Sequence, residues 1–337
     1  MSFTKPTNGV TTNYPQQMGR LIDIVEGPAL RNFIRNGDFM IAQRGVSFAG
    51  IVAEAYTLDG WRSGAAGTST VTQEAFTVGQ TDVPHNPVNF IRVVRSGAAG
   101  AANDVLSNRI ESPARLGGKT VTVSFYARVA SGTKALVFDL ASSGVTSAVD
   151  TGDNAFTATT TWTLFSAQIT VPAMTAATAA AYLALRIREA ASFGTFTLDV
   201  ADVQLEEGSE ATRFERLNYG EQLRWAQRFL PGIASLGTNH PIGSGFNWST
   251  TRSKIVVPFR AEARAAVTGI AVSNAAHLSV LDAGASAVAC STVAFNRGGN
   301  TACELDTTVA SGLVAGNGTN LFFNSASGTI VFTGAEL

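Results

Sequence analysis

From Asn32 onward, apolar and polar residues alternate along the chain in short runs. Across Thr120–Arg128, Val121, Val123, Phe125 and Ala127 fall on one face, and Thr120, Thr122, Ser124, Tyr126 and Arg128 on the other. This two-residue period predicts a half-buried β-strand. Lys134–Leu140 repeats it after the turn Ala130–Thr133. Trp162–Val171 is long and rich in β-branched and aromatic residues. Tyr182–Arg188 turns Leu183, Leu185 and Ile187 inward, and Thr195–Leu205 does the same with Phe196, Leu198 and Val200. Many short strands divided by Gly/Ser/Thr turns predict a sandwich or jelly roll rather than an α/β enzyme.

The pattern changes once. Leu223, Ala226, Gln227 and Leu230 follow helical spacing within Tyr219–Leu230, Asn218 suits the N-cap, and Pro231-Gly232 stops the run. Such a helix either packs on a sheet of its own chain or self-associates around a symmetry axis. Strand signals then resume at Lys254–Phe259, Gly269–Val272 and Leu278–Leu281, with Pro258 marking an edge or a bulge. Leu321–Phe323 and Thr329–Phe332 predict a final pair across Asn324–Gly328. The expected fold is all-β. It comprises an N-terminal arm (1–30), a jelly-roll β-sandwich (31–208), a short helical linker (209–232) and a C-terminal β-sandwich (233–337). The arm holds turn signals at Lys5-Pro6 and Asn13-Tyr14-Pro15 and one apolar run, Leu21–Val25. A segment of that kind gains order mainly by docking on another body.

Composition narrows the function classes. The 337 residues carry a net charge of −1, and only 15% are charged, against roughly 25% in an average domain. Without excess positive charge to release counterions, nucleic acid is not an expected partner. The 45% apolar content argues against a disordered chain. No window approaches the ~20 apolar residues of a membrane helix, and the polar start lacks the apolar core of an export signal; no membrane insertion is expected. Cys290 and Cys303 could close a hairpin disulfide or be free small apolar residues. With three histidines, none at ligand spacing from a cysteine, a zinc site has little support. Four lysines stand against twenty arginines, whose planar forks suit wet interfaces.

Motifs of catalysis are missing. There is no P-loop or dinucleotide fingerprint, and Gly97-Ala98-Ala99-Gly100 lacks a following helix. Ile242–Phe246 is a Gly/Ser loop rather than a nucleophile elbow, and His240 beside it has no evident third partner. Glu206-Glu207 and Asp150/Asp153 are carboxylate pairs without a cleft that the sequence can show.

Four ordered stretches resemble bacteriophage tail-fibre and spike proteins that carry a carbohydrate-binding-module-like jelly roll. They are Asn36-Gly37-Asp38-Phe39 with Ile41, Gln43, Arg44 and Gly45; Tyr56 with Asp59 and Trp61; Phe196–Gly208; and Thr212–Phe229, with Phe214-Glu215, Tyr219-Gly220 and Gln227-Arg228. Asn36-Gly37 reads as a turn into the first strand, with Gly accepting positive φ. Phe39, Ile41, Trp61 and Trp162 read as core. Tyr126 and Tyr182, opposite the apolar faces, are candidate sugar-stacking residues. Phe246, Trp248 and Arg252 share one loop that suits either sugar contact or a plug over a sandwich end. The resemblance implies a structural calcium with Asp38 and Asp202 as ligands, although Met40 stands where such modules often have an acidic residue. It also implies a virion protein: a homotrimeric tail-fibre or head-spike subunit. Its arm would bind other virion proteins, and it would attach to host cell-surface polysaccharide without catalysis. A purely structural fibre base, a polysaccharide depolymerase and a secreted binding module are the rival expectations.

Overall fold

The computed structural model describes residues 31–64, 68–96, 104–174, 177–189, 194–283 and 287–337. The expected arm, 1–30, and the Gly97–Gly100 stretch lie outside them.

Strands in the first half are β1 (Ser47–Ile51), β2 (Ala55–Tyr56), β3 (Trp61–Ser63), β4 (Thr68–Ala75), β5 (Asn89–Ser96), β6 (Asp104–Glu111), β7 (Thr120–Val129), β8 (Lys134–Val145), β9 (Asn154–Ala158), β10 (Thr163–Thr170), β11 (Ala177–Arg188) and β12 (Phe196–Glu207). They build two six-stranded sheets. One runs β1-β4-β5-β12-β7-β10 and the other β2-β3-β6-β11-β8-β9. The pairs are antiparallel, and the sheets enclose one core containing Phe39, Trp61, Val123, Phe125, Leu185 and Leu198. For all but Phe39, which enters from the loop before β1, the predicted alternation is the reason: the residue sits on the apolar face of its strand. The sandwich expected from the sequence is therefore present.

Helix α1 (Tyr219–Gln227) is capped as predicted, Asn218 accepting from the Glu221 amide at 3.0 Å. It ends three residues before Leu230, and Gln222, Ala226 and Gln227 are buried against the rest of the chain.

The second half holds β13 (Gly232–Ala234), β14 (His240–Asn247), β15 (Arg252–Pro258), β16 (Gly269–Val272), β17 (Leu278–Asp282), β18 (Ala287–Gly298), β19 (Ala302–Val309), β20 (Gly318–Phe323) and β21 (Thr329–Thr333). Here the architecture departs from an open sandwich. Strands β14-β15-β19-β18-β17-β20 close into a barrel, and β13-β21-β16 form a small sheet beside it. Closure follows from β14 and β20 pairing with each other as well as with β15 and β17, which removes both exposed edges. The expected pair of β20 with β21 is corrected by this arrangement. Asn324–Gly328 carries the chain out of the barrel, so β21 pairs with β13 and β16 instead. Pro258 ends its strand, past the last β14 partner, where its missing N–H is not needed. Cys290 and Cys303 are free and buried in the barrel core, and burial pushes both thiols up to about 12. Cys303 lies opposite Gly298, at the far end of β18 from Cys290, so the hairpin register keeps the sulfurs apart.

The four resemblance motifs form the joint between these parts. Asn36 donates to the carbonyls of Ile41 and Asp59 and accepts from the Ile41 amide, while its own carbonyl takes the Trp61 indole N–H at 2.9 Å. It is Asn36, not Gly37, that adopts positive φ (56°). Gly37 is required for closeness instead: a Cβ there would meet the Val203 carbonyl oxygen at 2.2 Å. Gln43 bridges Asp59 and the Leu230 carbonyl. Glu215 accepts from the amides of Arg31 and Asn32, and Arg228 pairs with Glu111. Arg44 pairs with Glu336, and Arg264 bonds the carbonyls of Ala179, Ala335 and Glu336, joining the second half to the jelly roll.

Candidate functional site

A groove of about 470 Å³ crosses the outer face of the β2-β3-β6-β11-β8-β9 sheet. Its floor comes from register. Arg186 on β11 lies opposite Ser107 on β6 and Asp139 on β8, and Ala184 lies opposite Arg109 and Ala141. Ser107, Ala141 and Ala184 are small, so the sheet surface sinks between the larger side chains of Tyr182 and Arg186. Those two are four residues apart on one strand, which places them about 13 Å from each other.

The walls are polar and paired. The Arg109 guanidinium sits 4.1 Å from the Tyr182 ring centre and fixes the ring's orientation. Arg109 also donates to the Leu337 carbonyl at 2.6 Å and lies 3.5 Å from Glu54. Arg186 grips the fully buried Asp139 through two bonds of 2.7 and 2.9 Å and reaches Asp150 at 3.1 Å. Arg188 pairs with Asp139 and Asp153. Asp150 and Asp153 are thus ion-pair partners at the groove's border. A backbone N–H from Gly152 is the main cause holding the Asp150 carboxyl below its ordinary range. Asp104, also lining the groove, is pushed up by burial and, more weakly, by the charge of Glu54. Counting Arg62, Arg109, Arg186 and Arg188 against Glu54, Asp104, Asp139, Asp150 and Asp153, the face is close to neutral. It offers donors and acceptors side by side.

The five residues singled out for sugar contact fall in three places. Tyr182 lines the groove. Tyr126 is on the opposite sheet, half-buried beside a small aromatic cluster of Phe76, Phe90 and Trp162. Trp162 is buried as predicted, but in this outer cluster rather than between the sheets. Phe246 and Trp248, 49% and 60% exposed, stand on the barrel. There Lys254 lies 5.2 Å over the Trp248 ring, and Arg252 pairs with Asp306 at 3.2 Å. Sequence reasoning missed Arg109, Arg186 and Asp139. Arginines opposite the apolar face of Tyr182–Arg188 were the available signal, and their partners come from distant strands.

Asp38 and Asp202 do come near each other, as the calcium expectation requires. Each carboxylate is already engaged: Gln222 donates to Asp38 at 2.7 Å and Arg216 to Asp202 at 2.8 Å. Calcium needs six to eight oxygens, and among the described residues no group of three or more His, Cys, Asp or Glu side chains could hold a metal. A guanidinium beside one carboxylate puts positive charge where the ion would sit, so these residues do not fit calcium. His240 accepts from the Leu236 amide through Nδ1 at 3.2 Å. The Glu206-Glu207 pair is split between Thr212 and Lys119. Among the described residues no helix is long and apolar enough to cross a membrane.

No family model matches the chain, and no curated protein matches it. Among solved structures, a xylan-binding domain of family 22 from Paenibacillus barcinonensis is 16% identical, covering 49% of this chain and 95% of its own, with a TM-score of 0.32. The family 11 carbohydrate-binding module of Clostridium thermocellum is 12% identical over 50% of this chain and 99% of its own (TM-score 0.30). The enzymatically active domain of tailspike protein 4 from bacteriophage CBA120 is 12% identical over 52% of this chain and 21% of its own (TM-score 0.32). The chain covers 30% of a Clostridium thermocellum xylanase that it also matches. All of these TM-scores lie below one half, and the functional reading rests on the groove itself.

Proposed function

We propose that this chain is a fibre or spike subunit of a phage-type virion that attaches to host cell-surface polysaccharide through the groove. The observation that carries the reading is the groove's make-up: a positioned aromatic ring, Tyr182, above a nearly neutral floor of paired donors and acceptors. Sugar rings present an apolar face for stacking and hydroxyls that both donate and accept. A neutral polysaccharide strand matches such a trough better than a strongly anionic one. Phe246 on β14, Trp248 in the turn after it and Arg252 at the start of β15, a hairpin rather than the loop expected from the sequence, are a second contact point on the same ligand, and three copies in a homotrimer compensate for weak single sites. The virion assignment, and the docking of the arm 1–30 on other virion proteins, rest on the four motif resemblances.

A glycan array of host capsule fragments tests the reading. Wild-type protein binds at least one fragment, Tyr182→Ala loses at least tenfold, and Trp248→Ala shows what the barrel adds. Silence of the wild-type protein overturns it in favour of a structural fibre base. Light scattering that shows a monomer at micromolar concentration counts against the trimer. One observation favours a depolymerase as second reading: Asp104, whose carboxyl burial pushes up, and the ion-paired Glu54 line the same groove, and glycoside hydrolysis uses two carboxyls in one cleft. Reducing ends released by wild-type protein and not by Asp104→Asn decide for it.

A further inference from the structure

Strand β12 carries a bulge. Ala201 lies opposite Tyr126 on β7, but the next partner of β7, Ser124, is met by Gln204. Asp202 and Val203 therefore fill the space of one residue. Asp202 takes the bend with φ of 48°, in the left-handed region that few residues other than glycine enter. A bulge re-aims a side chain. Here it places Asp202 in the lining of a cavity of about 240 Å³ on the outer face of this sheet, with Tyr126, Leu164, His85, Thr212 and Phe214. Tyr126 and Leu164 are cross-strand partners, and Leu164 is half exposed at the rim.

The carboxylate is only half satisfied. Its Oδ2 accepts from Arg216 at 2.8 Å, while its Oδ1 is buried and has no partner. Asp202 as a whole is 4% exposed. A buried acceptor left open costs free energy unless something donates to it. The volume is below the roughly 300–1,000 Å³ of sites for drug-sized ligands, which suits one ring rather than a chain.

We propose that this cavity is a second ligand site, taking a single hydroxyl-bearing ring such as a terminal monosaccharide unit of a glycan. A ring hydroxyl donates to Asp202 Oδ1, and the apolar face of the ring rests on Tyr126. The proposal rests on the reading of this protein as a carbohydrate binder, but it uses the opposite sheet and an independent set of residues.

Saturation-transfer NMR on the full chain with a panel of methyl glycosides provides the test. At least one glycoside gives signal with wild-type protein and keeps it in Tyr182→Ala. Its affinity falls at least tenfold in Tyr126→Ala and in Asp202→Asn, the latter putting an amide donor where the acceptor stood. Leu164→Trp fills the cavity from its rim without touching Asp202, and it also abolishes the signal. Circular dichroism confirms the fold of each variant. The proposal is overturned if no glycoside binds wild-type protein, if Leu164→Trp leaves binding unchanged, or if the signal disappears in Tyr182→Ala. Polysaccharide binding that depends on Tyr182 alone, without glycoside binding, would leave the groove reading standing and remove this one.

Discussion

Asp202 makes stability depend on pH in a way that one substitution isolates. Burial is the main cause pushing its carboxyl from 3.8 up to about 7; the nearby Asp38 adds to the rise and Arg216 partly offsets it. The folded protein therefore holds this proton where the unfolded chain has released it. Stability from this group is fully present below pH ~4 and is lost as pH rises through 7. Across about three pH units at 1.36 kcal/mol each, the loss is on the order of 4 kcal/mol at most. Asp202→Asn keeps the shape, tolerates the left-handed bend and cannot ionise. Urea unfolding followed by the β-sheet signal between pH 4 and 8 reads the effect. The wild-type protein should lose stability relative to the variant as pH rises, with most of the change between pH 5 and 7. Parallel profiles would show that this carboxylate is solvated in the folded protein, and the reasoning would fail. Asp59, also raised by burial, contributes equally to both profiles and cancels in the difference, whereas Asp38 is coupled to Asp202 and its titration shifts with the substitution.

Trp61→Ala removes a fully buried ring that stacks 4.9 Å from Phe39 and donates to the Asn36 carbonyl; a loss of about 3–5 kcal/mol in chemical denaturation is expected. Gly245→Ala forces a Cβ to within 1.8 Å of the Lys254 carbonyl oxygen. It should break the β14–β15 seam, and limited proteolysis should then cut the barrel while sparing the jelly roll.

Much of the scaffold was legible in the chain. The alternation around Phe125, Leu185 and Leu198 placed those residues inside and left Tyr126 and Tyr182 outside. The helix was readable from Asn218 and the spacing of its buried residues. Burial of Trp61 followed from its place in a motif, and the bonds of Asn36, Gln43 and Glu215 show that the motif is chiefly a joint. The sites themselves were less legible. The groove needs Ser107, Ala141 and Ala184 in two adjacent cross-strand rows, contributed by three strands, and nothing local marks a small residue as a floor. Arg186 could be seen as an outward arginine, but its grip on Asp139 depends on the pairing of β11 with β8. The engagement of Asp202 was illegible for the same reason: its partner Arg216 approaches from beyond the strand.

For the described residues, the sequence by itself determined an all-β class with a helix between the two β regions, and which face of each long strand is buried, because side-chain period is a local property of the backbone. Tertiary structure alone decided the order of strands in each sheet, the closure of the second half into a barrel, and the bulge at Asp202. Those depend on register between segments far apart in the chain, where a shift of one residue moves every side chain to the opposite face.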